Sequence, residues 1–122
     1  MKYGKALALV AFALAVAVSV YAADATGTWK ATFNTQVGEQ HYTYELKAEG
    51  EKLTGKAISD FGTTEITEGS VKGDDISFVE NLNFQGQPLR IAYSGKVSGD
   101  EIKFTRKVGE VATEELVAKR QK

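Results

Sequence analysis

The chain has 122 residues, with 15 basic and 16 acidic side chains, a single histidine and no cysteine. The lack of cysteine excludes disulfide bracing, thiol catalysis and thiolate metal sites. The slightly acidic charge balance disfavours nucleic acid as a partner, because that binding relies on basic side chains meeting phosphates.

The first 22 residues predict an export signal. Two lysines precede an apolar run over residues 6–20, and Val20-Tyr21-Ala22 places small residues three positions and one position before a cleavage point. The run is shorter than the roughly 20 residues that a membrane-spanning helix needs. We therefore expect cleavage after Ala22 or Ala23 rather than a retained tether. The expected product is one domain over residues 23–122, periplasmic or extracellular, with no stable membrane anchor.

Beyond the leader, short β-type segments alternate with glycine-containing turns at intervals of roughly ten residues, which predicts an all-β fold. The predicted strands are Thr28–Asn34, Gln40–Glu49, Lys52–Asp60, Thr63–Lys72, Asp75–Leu82, Gln87–Val97, Glu101–Val108 and Ala112–Arg120. Eight strands joined by short turns favour an antiparallel up-and-down barrel. The last segment also contains good helix formers, so a terminal helix is the alternative. A strand is favoured because an unclosed barrel would expose an edge.

Side chains on a strand alternate between its two faces, and each segment has one apolar and one polar face. The same alternation turns several polar and charged side chains inward: Tyr42, Tyr44, Glu68, Glu80, Tyr93, Arg106 and Arg120. Charged groups that face a core are costly unless they are paired. Three interpretations stay open: side chains that reach water at the barrel ends, a structural ion pair, or a cluster that orients a ligand.

The segment Gly27-Thr28-Trp29-Lys30 resembles the opening of calycins, the superfamily of lipocalins, fatty-acid-binding proteins and avidins. Most of residues 23–122 is also similar to small secreted bacterial lipocalin-like domains, chiefly through Leu53-Thr54-Gly55-Lys56, the segment from Ser98 to Arg106 and the segment from Glu114 to Arg120. The resemblance implies that Trp29 closes the bottom of the barrel and that Arg120 or Arg106 packs across its ring.

The chain departs from these relatives in two respects. Biotin sites of avidins use several tryptophans, whereas Trp29 is the only tryptophan here. Fatty-acid-binding proteins carry a helical lid after the first strand, and Thr35 to Glu39 leaves room only for a loop.

Motifs for catalysis are sparse. His41, the sole histidine, is predicted to face solvent, which disfavours a Ser-His-acid triad or a metal site. No metal or other cofactor is expected. Paired carboxylates can cleave glycosidic bonds when they flank a sugar-sized cleft, and Glu68 with Glu80 is the one pair considered.

The sequence thus favours an exported, non-enzymatic β-barrel that binds a small or partly apolar molecule at its mouth. Its expected ligand contacts are Tyr42, Tyr44, Glu68, Glu80, Tyr93 and Arg106. Phe61 and the loop from Asn81 to Gln87 are candidates for the mouth or, alternatively, turns with an anchoring aromatic. The alternatives are an accessory domain whose outer surface docks a partner protein or polysaccharide, and a hydrolase that uses Glu68 and Glu80. An enclosed cavity of a few hundred Å³ lined by Tyr42, Tyr44 and Tyr93 would support the binder. An interior filled by side chains would exclude the binder and favour the docking domain.

Overall fold

Nine strand segments form one antiparallel sheet in a computed structural model that describes residues 24–122. They are β1 (Gly27–Thr35), β2 (Gly38–Glu49), β3 (Lys52–Ser59), β4 (Gly62–Glu65), β5 (Thr67–Lys72), β6 (Asp75–Phe84), β7 (Gln87–Ser98), β8 (Glu101–Val108) and β9 (Ala112–Arg120). The predicted signal peptide over residues 1–22 lies outside the described residues. Among residues 24–122 there is no helix with the length and hydrophobicity needed to cross a membrane.

The sheet closes on itself as an eight-stranded antiparallel barrel, in which β4 and β5 are two parts of one interrupted strand. The predicted fold class is confirmed. The strand order is β2-β1-β9-β8-β7-β6-β5-β3-β4, and β2 also pairs with β3. The last segment is a strand despite its helix-forming residues. It bonds to β8 along its length and meets β1 at Trp29↔Arg120 and Lys30↔Lys119. A terminal helix would have left the edges of β1 and β8 unpaired, and closure removes both edges.

Glycine permits the closing contact between β2 and β3. Gly55 has φ +149°, and a Cβ atom there would lie 1.9 Å from the carbonyl oxygen of Glu45. Gly55 also accepts a backbone hydrogen bond of 3.0 Å from Ile66 N. This close approach of three chain segments requires a residue without a side chain.

The predicted fourth strand is interrupted, and this reverses the direction of one predicted site residue. Ile66 separates β4 from β5, and the pairing of β5 with β6 slips between Thr67 and Ser70. Glu68 has φ +54° within this bulge. Because a bulge adds a residue to one strand, the alternation of side chains shifts by one position. Glu68 therefore points outward, and the prediction that it faces the core is wrong.

The two ends of the barrel differ in the residues that their turns carry. We call one end the mouth, which is formed by the turns at 36–37, 60–61, 85–86 and 109–111. The opposite end, the base, has the turns Gly50-Glu51, Gly73-Asp74 and Gly99-Asp100, each a glycine followed by an acid. Among residues 24–122 the exposed large apolar side chains are Val37, Phe61, Val111 and Val117. The first three lie at the mouth, so the exposed large apolar side chains of the described residues are concentrated at this end of the barrel.

Candidate functional site at the barrel mouth

The base of the barrel is sealed by Trp29 and Arg120. Trp29 is fully buried, and its indole N–H donates a 2.9 Å hydrogen bond to the carbonyl oxygen of Ala25. The guanidinium carbon of Arg120 lies 4.2 Å from the centroid of the Trp29 ring. Arg120 also donates to the backbone carbonyl oxygens of Thr26 and Asp24, both at 2.7 Å. Of the two arginines that the resemblance proposed for this contact, the structure uses Arg120.

Aromatic side chains fill the middle of the barrel. The rings of Phe78 and Tyr93 stack with centroids 4.5 Å apart, and Phe104 and Tyr44 meet Tyr93 edge-on at 5.4 and 5.5 Å. These geometries are the favourable arrangements of aromatic pairs. Side chains therefore fill the part of the interior nearer the base, so the barrel is not hollow along its whole length.

Above this packing lies a cluster of buried polar side chains contributed by five strands. We call it the buried polar cluster, and its members are Tyr42, Tyr44, Glu80, Tyr93, Arg106 and Glu114. Register brings three of them into one row, because Tyr93 pairs with Arg106 across β7 and β8, and Arg106 pairs with Glu114 across β8 and β9. The side chain of Arg106 is 5% exposed, that of Glu80 1% and that of Glu114 12%.

The hydroxyl groups of the cluster are committed to one another and to Glu80. Tyr42 and Tyr93 each donate a 2.8 Å hydrogen bond to a different carboxylate oxygen of Glu80. The Tyr93 hydroxyl also accepts hydrogen bonds of 2.9 Å from Tyr44 OH and from Arg106 Nε. One donated and two accepted bonds exhaust what a phenol offers. The Tyr93 hydroxyl is therefore fully bonded within the cluster and supports its neighbours.

Arg106 joins the cluster to both acids. Its Nη2 donates to Tyr42 OH at 3.1 Å and lies 4.0 Å from Glu80 Oε1, while its Nη1 donates to Glu114 Oε1 at 2.5 Å. Its guanidinium carbon also lies 5.2 Å from the ring centroids of both Phe33 and Tyr42. Of the interpretations that the sequence left open for inward charges, the structure shows a paired cluster.

Burial and mutual contact shift the pKa values of these groups. Burial raises the pKa of Tyr42 to about 12, with a further contribution from Glu80. Burial also raises the pKa of Glu80, against the opposing hydrogen bonds from the tyrosines and the charge of Arg106. Burial acts to lower the pKa of Arg106, but Tyr93, Tyr42 and Glu114 outweigh it and hold the pKa above its usual value. The guanidinium is therefore charged at every physiological pH.

The raised pKa of Glu80 predicts a specific pH dependence of stability. Because the folded state keeps this proton to a higher pH than the unfolded chain, the free energy of unfolding should fall as pH rises from about 4.3 towards the raised pKa. Glu80→Gln removes this titration. In urea unfolding at a series of pH values, the wild-type free energy of unfolding minus that of Glu80→Gln should decrease across this window.

Glu68→Gln is the matched control for this prediction. Hydrogen bonding and the charge of Arg90 lower the pKa of the exposed Glu68. The wild-type free energy of unfolding minus that of Glu68→Gln should therefore increase with pH through the acid range, which is the opposite sign from Glu80→Gln. A difference for Glu80→Gln that does not change with pH would contradict the assignment of a buried, proton-holding carboxyl.

A cavity of about 190 Å³ opens above the buried polar cluster at the mouth. Its walls are largely apolar, and its polar contributions come from Thr35, Gln36, Gln40, Arg106 and Glu114. The apolar wall residues are Val37, Phe61, Leu82, Phe84, Leu89, Ile91, Val108, Val111 and Ala112. An apolar pocket with a few convergent polar groups is the common form of a small-molecule site.

Gln40 is the unpaired polar group of this cavity. The residue is buried, and its carbonyl oxygen Oε1 has no hydrogen-bond partner among the described residues. A buried polar atom without a partner costs free energy, so such atoms are rare in folded proteins. Gln40 Oε1 therefore has an unused capacity to accept a hydrogen bond, and Gln40 is one of the residues that line the cavity.

Two aromatic residues singled out by the sequence meet at the rim. The rings of Phe61 and Phe84 contact each other edge-on with centroids 5.9 Å apart, and both line the cavity. Phe61 comes from the turn after β3, and Phe84 from the end of β6. The structure thus places both predicted mouth candidates at the mouth.

The structure brings some of the predicted site residues together and separates others. Arg106 lines the cavity, whereas Tyr42, Tyr44, Tyr93 and Glu80 do not. Of these four, Tyr42 and Tyr93 accept hydrogen bonds from Arg106 directly. Direct contact of these four with a ligand remains a prediction.

Glu68 lies outside the barrel, with its side chain 59% exposed and bound to Arg90 at 2.8 Å. Glu80 is enclosed in the interior, so the two acids do not face a common cleft. The carboxylate pair needed by the hydrolase hypothesis is not formed.

The predicted position of His41 is confirmed. His41 is exposed, and its ring nitrogens lie 3.2 Å from Thr32 Oγ1 and 3.4 Å from Glu39 Oε1. Across the part of the chain that the structure describes, no group of three or more His, Asp or Glu side chains is placed to hold a metal ion.

Gln40 and Glu114 are among the cavity residues that the sequence reasoning missed, although the alternation contains both. Gln40 precedes Tyr42 by two positions on β2, and Glu114 precedes Leu116 by two on β9, so each shares the inward face. Both lie near strand ends, where the alternation alone does not tell a buried side chain from one that reaches water.

Comparison with known proteins supports the fold. No protein-family model and no curated protein sequence matches the chain. A solved structure described as the REP1-NXSQ fatty acid transporter superposes with a TM-score of 0.51 at 18% sequence identity, over 80% of this chain and 96% of that chain. At this identity the likeness shows the fold alone. The fold that it supports is the antiparallel β-barrel.

Proposed function

We propose that this protein is an exported, non-enzymatic carrier or binding module that holds one small, partly apolar molecule in the mouth cavity. One observation carries the proposal: a largely apolar cavity of about 190 Å³ is bordered by the buried Arg106 and by Gln40, whose carbonyl oxygen has no hydrogen-bond partner. The apolar part of the ligand packs against Leu82, Leu89 and Val108. Its polar end meets Gln40 and Arg106.

One structural comparison and one sequence-based prediction support the proposal. The structural neighbour is named for fatty acid transport, and a fatty acid is a partly apolar molecule. The export signal predicted for residues 1–22 suits a protein that handles such a molecule in the periplasm or outside the cell. An accessory domain that docks a partner remains the second candidate, and the exposed side chains of Val37, Phe61 and Val111 at the mouth favour it.

Benzene is a suitable first probe, because an engineered apolar cavity of about 150 Å³ binds benzene. We expect methyl NMR spectra to show saturable shifts on Leu82, Leu89, Ile91 and Val108, and none on the outward-facing Val117. Leu89→Trp places a large side chain in the cavity and should abolish the shifts.

Val117→Trp, on the outside of β9, is the matched control and should leave benzene binding unchanged. Binding by Leu89→Trp equal to that of the wild type, or no saturable binding by the wild type, would exclude the mouth cavity as a ligand site. The docking domain would then be the better explanation of the apolar rim.

A further inference from the structure

We propose that the mouth cavity selects an uncharged ligand whose polar end is a hydroxyl group, and that it discriminates against a carboxylate of the same chain length. This inference rests on the proposed function and names the ligand class of the same site. It follows from the charges around Arg106, from the unpaired Gln40 and from the size of the cavity.

The positive charge of Arg106 is already neutralised by the protein. Glu114 Oε1 lies 2.5 Å from its Nη1 atom, and Glu80 Oε1 lies 4.0 Å from its Nη2 atom. With Glu80 protonated the three groups sum to zero, and with Glu80 ionised they sum to one negative charge. In neither state does a positive charge remain for an incoming anion.

A carboxylate ligand would therefore have to bind beside Glu114 or displace it. The first arrangement places two like charges together in a poorly solvated site, and the second leaves the Glu114 carboxylate, only 12% exposed, without its partner. Both outcomes bury an unpaired charge, which is strongly unfavourable. An uncharged polar group meets no such penalty.

Gln40 specifies what kind of uncharged group fits. Its buried carbonyl oxygen lacks a donor, and an ionised carboxylate has no proton to donate. A hydroxyl group donates one hydrogen bond and accepts two, so it satisfies either end of the Gln40 amide. An alcohol thus supplies the bond that the cavity wall lacks.

The cavity volume limits the apolar part that is enclosed. About 190 Å³ is slightly larger than the cavity of about 150 Å³ that holds a benzene molecule. A chain of about six carbons is therefore enclosed. A longer chain would continue outward between the exposed side chains of Val37, Phe61 and Val111.

The test compares 1-hexanol with hexanoate, which have the same chain length, by NMR titration of the wild-type protein at pH 7.5. We expect 1-hexanol to bind at least about tenfold more tightly, because burial of an uncompensated charge costs more than one tenfold step in affinity. Benzene is titrated in parallel to report on the cavity itself.

Two variants test the two parts of the explanation. Glu114→Gln removes one negative charge beside Arg106, so the three groups sum to one positive charge with Glu80 protonated and to zero with Glu80 ionised. We expect hexanoate to gain affinity until the preference for 1-hexanol narrows or reverses. Gln40→Leu removes the hydrogen-bonding amide and should weaken 1-hexanol by about fivefold without weakening benzene. Glu115→Gln is the control, because it makes the same chemical change at the neighbouring acid, which faces outward. It should leave the affinities for 1-hexanol and hexanoate unchanged.

The outcomes separate this inference from the proposed function. Benzene binding together with hexanoate affinity equal to or above that of 1-hexanol would overturn the inference and leave the binding module intact. No binding of benzene, 1-hexanol or hexanoate would overturn both. The wild-type comparison decides the question even if a variant fails to fold.

Discussion

Arg106→Met is expected to lower the free energy of unfolding by about 3–5 kcal/mol, the usual cost of removing one partner from a buried ion pair. The substitution leaves Glu114 without its 2.5 Å partner and removes the donors that reach the Tyr42 and Tyr93 hydroxyls. Methionine keeps much of the side-chain volume, so the loss reports on charge and hydrogen bonding rather than on a cavity. Urea unfolding followed by circular dichroism measures it.

Arg90→Met is the matched control. Arg90 is likewise paired with a glutamate, Glu68, to which it donates two hydrogen bonds, but both side chains are more than half exposed. Exposed pairs contribute about 0–1 kcal/mol, so the control should unfold close to the wild type. The double variant Arg106→Met/Glu114→Gln should recover part of the loss, because one stranded charge is removed. Equal effects of Arg106→Met and Arg90→Met would show that burial of the cluster does not govern stability.

Trp29→Ala is expected to destabilise the barrel by about 3–5 kcal/mol, the range observed for removing a buried large aromatic side chain. Trp29 is fully buried at the base, donates to the carbonyl oxygen of Ala25 and stacks on Arg120. Its removal also exposes the guanidinium of Arg120, which hydrogen-bonds β9 to the segment before β1. Thermal and urea unfolding by circular dichroism measure the change.

Two conservative variants separate the contributions of the Trp29 indole hydrogen bond and of the Arg120 guanidinium to this loss of stability. Trp29→Phe keeps a ring under Arg120 but loses the indole hydrogen bond, so it should cost clearly less than Trp29→Ala. Arg120→Lys keeps the charge but loses the planar group that stacks and that donates to Thr26 and Asp24. Wild-type stability in Trp29→Ala would refute a sealing role for this contact. Benzene binding at the mouth should survive Trp29→Phe, since the base lies at the opposite end of the barrel.

The candidate site was predictable from the sequence only in part. Alternation along regular strands correctly turned Tyr42, Tyr44, Glu80, Tyr93 and Arg106 inward, because side-chain direction on a strand depends only on position. It did not show that they meet one another. Tyr42 and Arg106 are bonded although 64 positions separate them, and this contact exists only because the sheet curls into a barrel.

Glu68 shows where sequence reasoning fails. The alternation is valid while every residue on one strand opposes one residue on the next. A bulge between Thr67 and Ser70 breaks this condition, and with it the predicted direction of Glu68. Gly69 marks the place, since a Cβ atom there would lie 1.9 Å from the carbonyl oxygen of Leu53. Nothing in a single sequence distinguishes this glycine from one in a turn.

The sequence by itself determined the class of fold, the number of barrel strands and the inward face of most strands. These follow from local rules: glycine at turns, a period of two along strands, and apolar residues at alternate positions. Only the tertiary structure decided which inward groups pair, that the interior is packed below and open above, and that Gln40 and Glu114 border the opening. Those features depend on register and closure, which bring distant residues together through hydrogen bonds across the whole sheet.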